Sequence, residues 1–296
     1  MHAFIDRLAA DTRMGAVTLR VADLDGMIRY YTEAVPLRLL AQEGGTAVLG
    51  RDATPVVLLE HDPQLRHAAP HEAGLFHTAI LFESEAALAA AVYSVAQHAP
   101  GTFTGSSDHL VSKAFYFTDP EGNGVELYWD RDRSEWSWVD GRVGMDTLRL
   151  DPNRYLQEHL AEAAIADPVI GRTTVGHVHL SVGDVDTARA FYVDRLGFDV
   201  TAEYGGALFV SIGGYHHRMA MNTWQSRGAG RRARTLGLGE VDILVPTADD
   251  LGAVAERMRD TGSEVADDGR TISFEDPWAN LLTVRVGPDA ADHHDA

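Results

Sequence analysis

The chain contains no cysteine. That excludes disulfides, cysteine nucleophiles and thiolate metal sites, so any transition-metal centre must be built from His, Asp or Glu. Basic residues are scarce: 25 Lys and Arg stand against 44 Asp and Glu, a formal net charge of −19. This balance disfavours a nucleic-acid or anionic-membrane surface and leaves small neutral or aromatic substrates open. No run approaches the roughly 18 apolar residues of a membrane span. The opening "MHAFIDRLAADTR" also lacks the apolar core of a secretory signal, so a cytoplasmic protein is expected. The glycines of "EYGGALF" and "GGYHH" lack the strand–loop–helix setting of a nucleotide-binding loop and read as turns or bulges.

What is present is internal repetition, in 296 residues that are 45% hydrophobic, enough for one large core or two ordinary ones. "VTLRVADLDGMIRYYTEAVPLRLL" from Val17 and "VHLSVGDVDTARAFYVDRLGFDVT" from Val178 share an alternating strand, a D-x-D turn (Asp23 and Asp25; Asp184 and Asp186) and a helical segment. Each ends its helix on an aromatic pair, Tyr30-Tyr31 or Phe191-Tyr192. A second repeat opens at "GLFHTAILF" (Gly74) and "GLGEVDILV" (Gly237), continues as an amphipathic helix, and closes in "AFYFTDPEGNGVELYW" and "TISFEDPWANLLTVRV". Asp-Pro starts the turn there and Gly or Asn completes it.

The chain thus reads as an α+β protein of four βαβββ units beginning near Met14, Gly74, Val175 and Leu236. Units one and two occupy residues 1–135 and units three and four residues 173–287. Between them lies a connector, 136–172, with a helix expected at Tyr155–Ile165, and residues 288–296 read as a disordered tail. Curved sheets made from paired units would form two domains, each around a cavity.

This arrangement, with the "DPEGNGVELY" closure and the glycine-then-histidine strand starts, resembles the vicinal oxygen chelate superfamily of glyoxalases, extradiol dioxygenases and bleomycin- and fosfomycin-resistance proteins. The resemblance covers nearly the whole chain apart from connector and tail, and is greatest to the bacterial catechol 2,3-dioxygenase branch. It implies metal ligands from the first strands of two paired units and the last strand of one. The first-strand positions are Ala16, His77, His177 and Glu240, and the last-strand positions of units two and four are Glu126 and Thr283. Pairing in sequence order would split the candidates into two unconvincing sets. Pairing unit two with unit three collects His77, His177 and Glu126 in one cavity and leaves Ala16, Glu240 and Thr283 in the other.

Two imidazoles and a carboxylate on one face of an octahedral ion leave three positions open, which suits Fe(II), with Mn(II) as the alternative. Taken singly, each of the three reads as an ordinary strand residue; their landing on one set favours the metal. His179, two residues beyond His177, is a substitute ligand or a cavity wall, and His61, His67 and His71 read as surface residues.

The resemblance also implies acid–base groups beside the metal. "HRMA" from His217 is similar to the H-x-x-A motif of the family's acid–base histidine, Tyr116 stands at the family tyrosine before the closing turn, and His109 resembles a second histidine, displaced by about two residues. His109 beside Asp108 also reads as a surface pair. On an alternating strand His216 and His217 would face opposite ways. Phe115, Phe209 and Trp224 are candidate walls or plain core, and the Arg227–Arg234 run reads as a solvated loop without function or, alternatively, a mobile loop over the cavity mouth. The implied activity is ring cleavage of catechol or a substituted catechol with dioxygen, in a homo-oligomer. Two other readings stay open: a glyoxalase-like isomerase or lyase, whose relatives draw a carboxylate from each of two units, and a non-enzymatic small-molecule binder.

Overall fold

A computed structural model describes residues 7–165, 168 and 170–288 of the chain. The expected tail, from 289 on, lies outside the described residues. Four strands open the four units: Arg13–Val21, Gly74–Phe82, Thr173–Ser181 and Gly237–Val245. A helix follows each, at Leu24–Arg29 (continuing as a π-helical turn, Tyr30–Ala34), Glu85–His98, Val185–Tyr192 and Ala248–Asp260. The helices start where polar side chains can satisfy orphan amides. Asp23 accepts from Gly26 N, Ser84 from Ala87 N and Asp184 from Thr187 N, while Thr247 and Asp250 cap each other's backbone. The D-x-D turns are therefore helix caps.

Each opening strand pairs in parallel with the closing strand of its own unit, Arg13–Val21 with Thr54–His61, Gly74–Phe82 with Gly124–Asp130, Thr173–Ser181 with Met219–Asn222 and Gly237–Val245 with Leu281–Val286. A parallel pair needs a long crossover, which the unit's helix and middle strands supply. The free edge of the opening strand then pairs antiparallel with another unit: Arg13–Val21 with Gly237–Val245, and Gly74–Phe82 with Thr173–Ser181. Units one and four thus make an eight-stranded sheet, and units two and three a nine-stranded sheet. Each sheet takes strands from both halves of the chain. Among the described residues no helix is long and apolar enough to cross a membrane.

The aromatic pairs and the Asp-Pro closures meet across units. Asp119, buried in the turn of unit two, accepts from the amides of Glu121 and Asn123, from Asn123 Nδ2, and from Tyr31 Oη of unit one at 3.2 Å. Asp276 repeats this with Asn280 and with Tyr192 of unit three, at 2.9 Å. The repeated motifs are therefore the ties between successive units. Tyr192→Phe should destabilise the protein by about 1 kcal/mol, the net worth of one hydrogen bond, with Asp276 still held by its turn; urea denaturation checks this.

The connector departs from expectation. Its helix runs Pro152–His159, capped by Asp151, and a separate 3-10 turn spans Glu162–Ile165. Asp at the cap and Pro at the first helical position fix the start three residues early. Leu148–Arg149 joins the edge of the nine-stranded sheet beside Phe103–Asp108. Phe115 is fully buried and packs on Tyr155 of the connector helix, 5.0 Å between rings, so it is core and not cavity wall.

Candidate metal centre

The cavity lies against the nine-stranded sheet and is built on a pseudo-two-fold axis. In the Gly74–Phe82 and Thr173–Ser181 strands Thr78 stands opposite Val178, His77 opposite His179, and Ala79 opposite His177. Residues two apart on a strand share a face, so His77, His177 and His179 all reach the cavity. Glu126 lies beside Ala79 on the neighbouring parallel strand and directly opposite Tyr116. A register irregularity falls between Val175 and His177. A Cβ on Gly176 there would stand 1.6 Å from Tyr128 Oη, so this close approach requires glycine.

The donor atoms of His77, Glu126 and His177 all lie within 4.8 Å of one another, the one such group found among the described residues. Glu126 Oε2 is 2.9 Å from His77 Nε2 and 3.2 Å from His177 Nε2. Metal bonds of roughly 2.1 Å at right angles place neighbouring donors about 3.0 Å apart, so the two carboxylate–imidazole edges fit one ion. His77 Nε2 lies off hydrogen-bond direction and is a buried nitrogen without a hydrogen-bond partner, as is His177 Nδ1. An orphaned buried nitrogen is costly unless something else uses it; for His77 Nε2 a metal ion would.

The electrostatics agree with this fit. Burial pushes the Glu126 carboxyl up, but the imidazoles of His177 and His77 outweigh it and hold it well below the usual carboxylate range. Burial pulls His177 down to about 4, against the opposing charge of Glu126. A carboxylate beside a neutral imidazole is the protonation that metal binding needs at neutral pH.

Around this triad the structure gathers the other candidates. Tyr116 Oη is 2.7 Å from His109 Nε2, and His109 Nδ1 is 2.8 Å from the Asp146 carbonyl. The carbonyl can only accept, so Nδ1 carries the hydrogen and Nε2 accepts from the tyrosine. Burial, then the charge of Glu126, push the Tyr116 hydroxyl well above its ordinary value, so it stays protonated. Asp108 binds Arg131 at 2.6 Å instead of pairing with His109. His179 accepts from Asn222 Nδ2 at 3.0 Å and is a wall, outside the ligand group.

The histidine pair is not on a strand. Gly213 and Gly214, with φ of 67° and 70°, turn the chain, and the strand begins only at Met219. The alternation rule therefore does not apply. Both rings are buried and meet, with Nδ1 to Nδ1 at 2.7 Å. The His217 ring lies against the His177 ring, 4.0 Å between centroids and tilted by 48°, and lines the cavity, while His216 turns to Asp130. Burial, then the neighbouring imidazoles, hold His217 well below its ordinary value.

The cavity has a volume of about 740 Å³, and Phe209 and Trp224 form part of its wall. His61, His67 and His71 are exposed, His67 at the edge of the cavity. The Arg227–Arg234 segment is tethered and not free: Arg231 pairs with Glu275, Arg232 donates to Asn280 Oδ1 and the Leu238 carbonyl, and Arg234 pairs with Asp62. In the eight-stranded sheet Glu240 stands opposite Thr18, and Asp242 beside Thr283 is occupied by Arg285 at 2.7 Å. Sequence reasoning missed Asp130, Tyr215 and Asn222. Nothing local marks them, because Asp130 and Asn222 bond histidines 86 and 43 residues away and the Tyr215 hydroxyl reaches Asp130, 85 residues away.

Comparison with known proteins gives the family of the chain. The chain is 34% identical over 273 residues to the catechol-2,3-dioxygenase of Bacillus subtilis (strain 168), covering 90% of this chain and 94% of that one. Its fold is shared with a putative dioxygenase from Bacillus subtilis (TM-score 0.63, 13% identity, 98% of this chain and 89% of that one). It is shared also with glyoxalase I from Zea mays (TM-score 0.57, 17% identity, 96% of this chain and 98% of that one). The family model described as the glyoxalase/bleomycin resistance protein/dioxygenase superfamily matches residues 13–127 and 174–284, so the chain belongs to that superfamily.

Proposed function

We propose that the protein is an extradiol ring-cleaving dioxygenase acting on catechol or a substituted catechol with dioxygen, dependent on Fe(II) or, alternatively, Mn(II). The observation that carries this reading is the number of protein ligands. The pseudo-two-fold that relates Ala79 to His179 relates Glu126, beside Ala79, to Ala220, beside His179. The fourth corner, where a second carboxylate would complete a glyoxalase-like set, is a methyl group. Three ligands on one face remain, and a purely binding protein has no need of them. The 34% identical relative named catechol-2,3-dioxygenase supports the same reading.

When bound, a metal held by His77, His177 and Glu126 would offer three open positions, enough for both diol oxygens and dioxygen side by side. The residues of the chain do the rest. His217 Nε2 takes up a diol proton and returns it later, the role that a buried neutral imidazole suits. The Tyr116 hydroxyl, held by His109 Nε2, orients the diol. Phe209, Trp224 and Met145 form walls that limit water. Catechol plus dioxygen gives a 2-hydroxymuconic semialdehyde, with both oxygen atoms retained and no external reductant. A cavity of about 740 Å³ lies in the range of pockets for drug-sized ligands, so there is room for ring substituents.

Anaerobic loading with Fe(II), then catechol and air, should yield a yellow product. Colourless solutions across a panel of unsubstituted, alkyl and aryl catechols, with stoichiometric metal bound, would overturn the reading.

A further inference from the structure

We infer that Asp130 and His216 are positioning residues that set the tautomer of His217, so that its Nε2 presents a lone pair to the cavity. The inference rests on the reading of His217 as the site's acid–base group. Asp130 Oδ1 lies 2.8 Å from His216 Nε2, and His216 Nδ1 lies 2.7 Å from His217 Nδ1. Asp130 Oδ2 is taken by Tyr215 Oη at 2.6 Å, which is itself 2.7 Å from Tyr128 Oη. His216 is 0% exposed, packed against the rings of Tyr215 and Trp136, and Thr201 Oγ1 donates to its carbonyl at 2.5 Å.

These contacts leave one assignment for neutral rings. A carboxylate only accepts, so His216 Nε2 carries the hydrogen. Neutral His216 then has a bare Nδ1, and two nitrogens 2.7 Å apart must share one hydrogen. His217 Nδ1 supplies it. Neutral His217 is left with its lone pair on Nε2, on the ring that lines the cavity. The chain of three groups works as the Asp–His orientation does in hydrolytic triads, with one imidazole added. Tyr215 and Tyr128 lock the carboxylate so that it cannot rotate away. An Asn at 130 can turn its amide NH₂ to His216 Nε2 and reverse every hydrogen in the chain.

Two-bond ¹H–¹⁵N correlation spectra of the histidine-labelled full-length protein at pH 8, above the ordinary imidazole value of about 6.5, read this directly, with and without diamagnetic Zn(II). His217 should appear as the Nδ1–H tautomer in the wild type and as Nε2–H in Asp130→Asn. A wild-type His217 carrying its hydrogen on Nε2 would overturn the inference, and so would a tautomer unchanged by Asp130→Asn. The wild-type spectrum decides the matter even if the variant fails to fold or no catechol is cleaved, so the relay and the proposed activity fail separately. In turnover, Asp130→Asn should lower kcat by about 10²-fold or more, as loss of the right tautomer does in triads, with KM and metal content little changed. Asp130→Glu should recover part of it. In a His217→Gln background Asp130→Asn should cost nothing further; an equal loss there would show a merely structural role.

Discussion

A Glu126→Ala protein should fold but retain no stoichiometric iron or manganese after dialysis, and should cleave no catechol. Glu126 is the one anionic member of the triad and is only 2% exposed. Without it an ion would face two buried imidazoles with no charge to offset its own, which desolvation makes costly. Removing a partner outside the ligand set alone weakens metal binding by about 10–100-fold, so loss of the carboxylate ligand should exceed about 100-fold. Glu240→Ala, in the other sheet, should leave metal content unchanged. Metal analysis of the two variants in parallel checks both. Retention of metal by Glu126→Ala, or its loss in Glu240→Ala, would move the centre elsewhere.

A His217→Gln protein should keep its metal and lose kcat by about 10²–10⁴-fold, the range for removal of a general acid–base group. Glutamine fills much of the imidazole volume and can hydrogen-bond, but cannot take up a proton near neutral pH. His217 packs against His177 of the proposed ligand set without belonging to it, so the loss should appear in turnover and not in metal content. Steady-state kinetics alongside metal analysis separates the two. A variant that loses its metal would make His217 a ligand and would displace the reading of His77, His177 and Glu126 as a complete set.

Much of the architecture was legible because it rests on short-range rules. The D-x-D turns at Asp23 and Asp184, which cap their helices, and the period-two alternation of the opening strands are fixed by neighbours within a few residues. The repeat of those patterns located all four units. The pairing of unit two with unit three follows from the ligand positions that the family resemblance implies, as the arrangement that collects two imidazoles and a carboxylate, and the nine-stranded sheet has that order. Where a local rule was applied outside its setting it failed: alternation at His216 and His217 presumed a strand, and the left-handed turn at Gly213 and Gly214 removes it.

By itself, then, the sequence determined the four-unit fold, the absence of any thiolate chemistry and, through the family resemblance its motifs carry, which residues stand at the strand positions that face a cavity. Only the tertiary structure decided which of those positions meet. Register across the Gly74 and Thr173 strands, set by the irregularity at Gly176, places Glu126 within 3.2 Å of both imidazoles. The contact from Asp130 to His216, 86 residues apart, is decided the same way. Side-chain direction along a strand follows from local backbone geometry, whereas distance between strands depends on how the whole sheet closes, and no short stretch of sequence contains that.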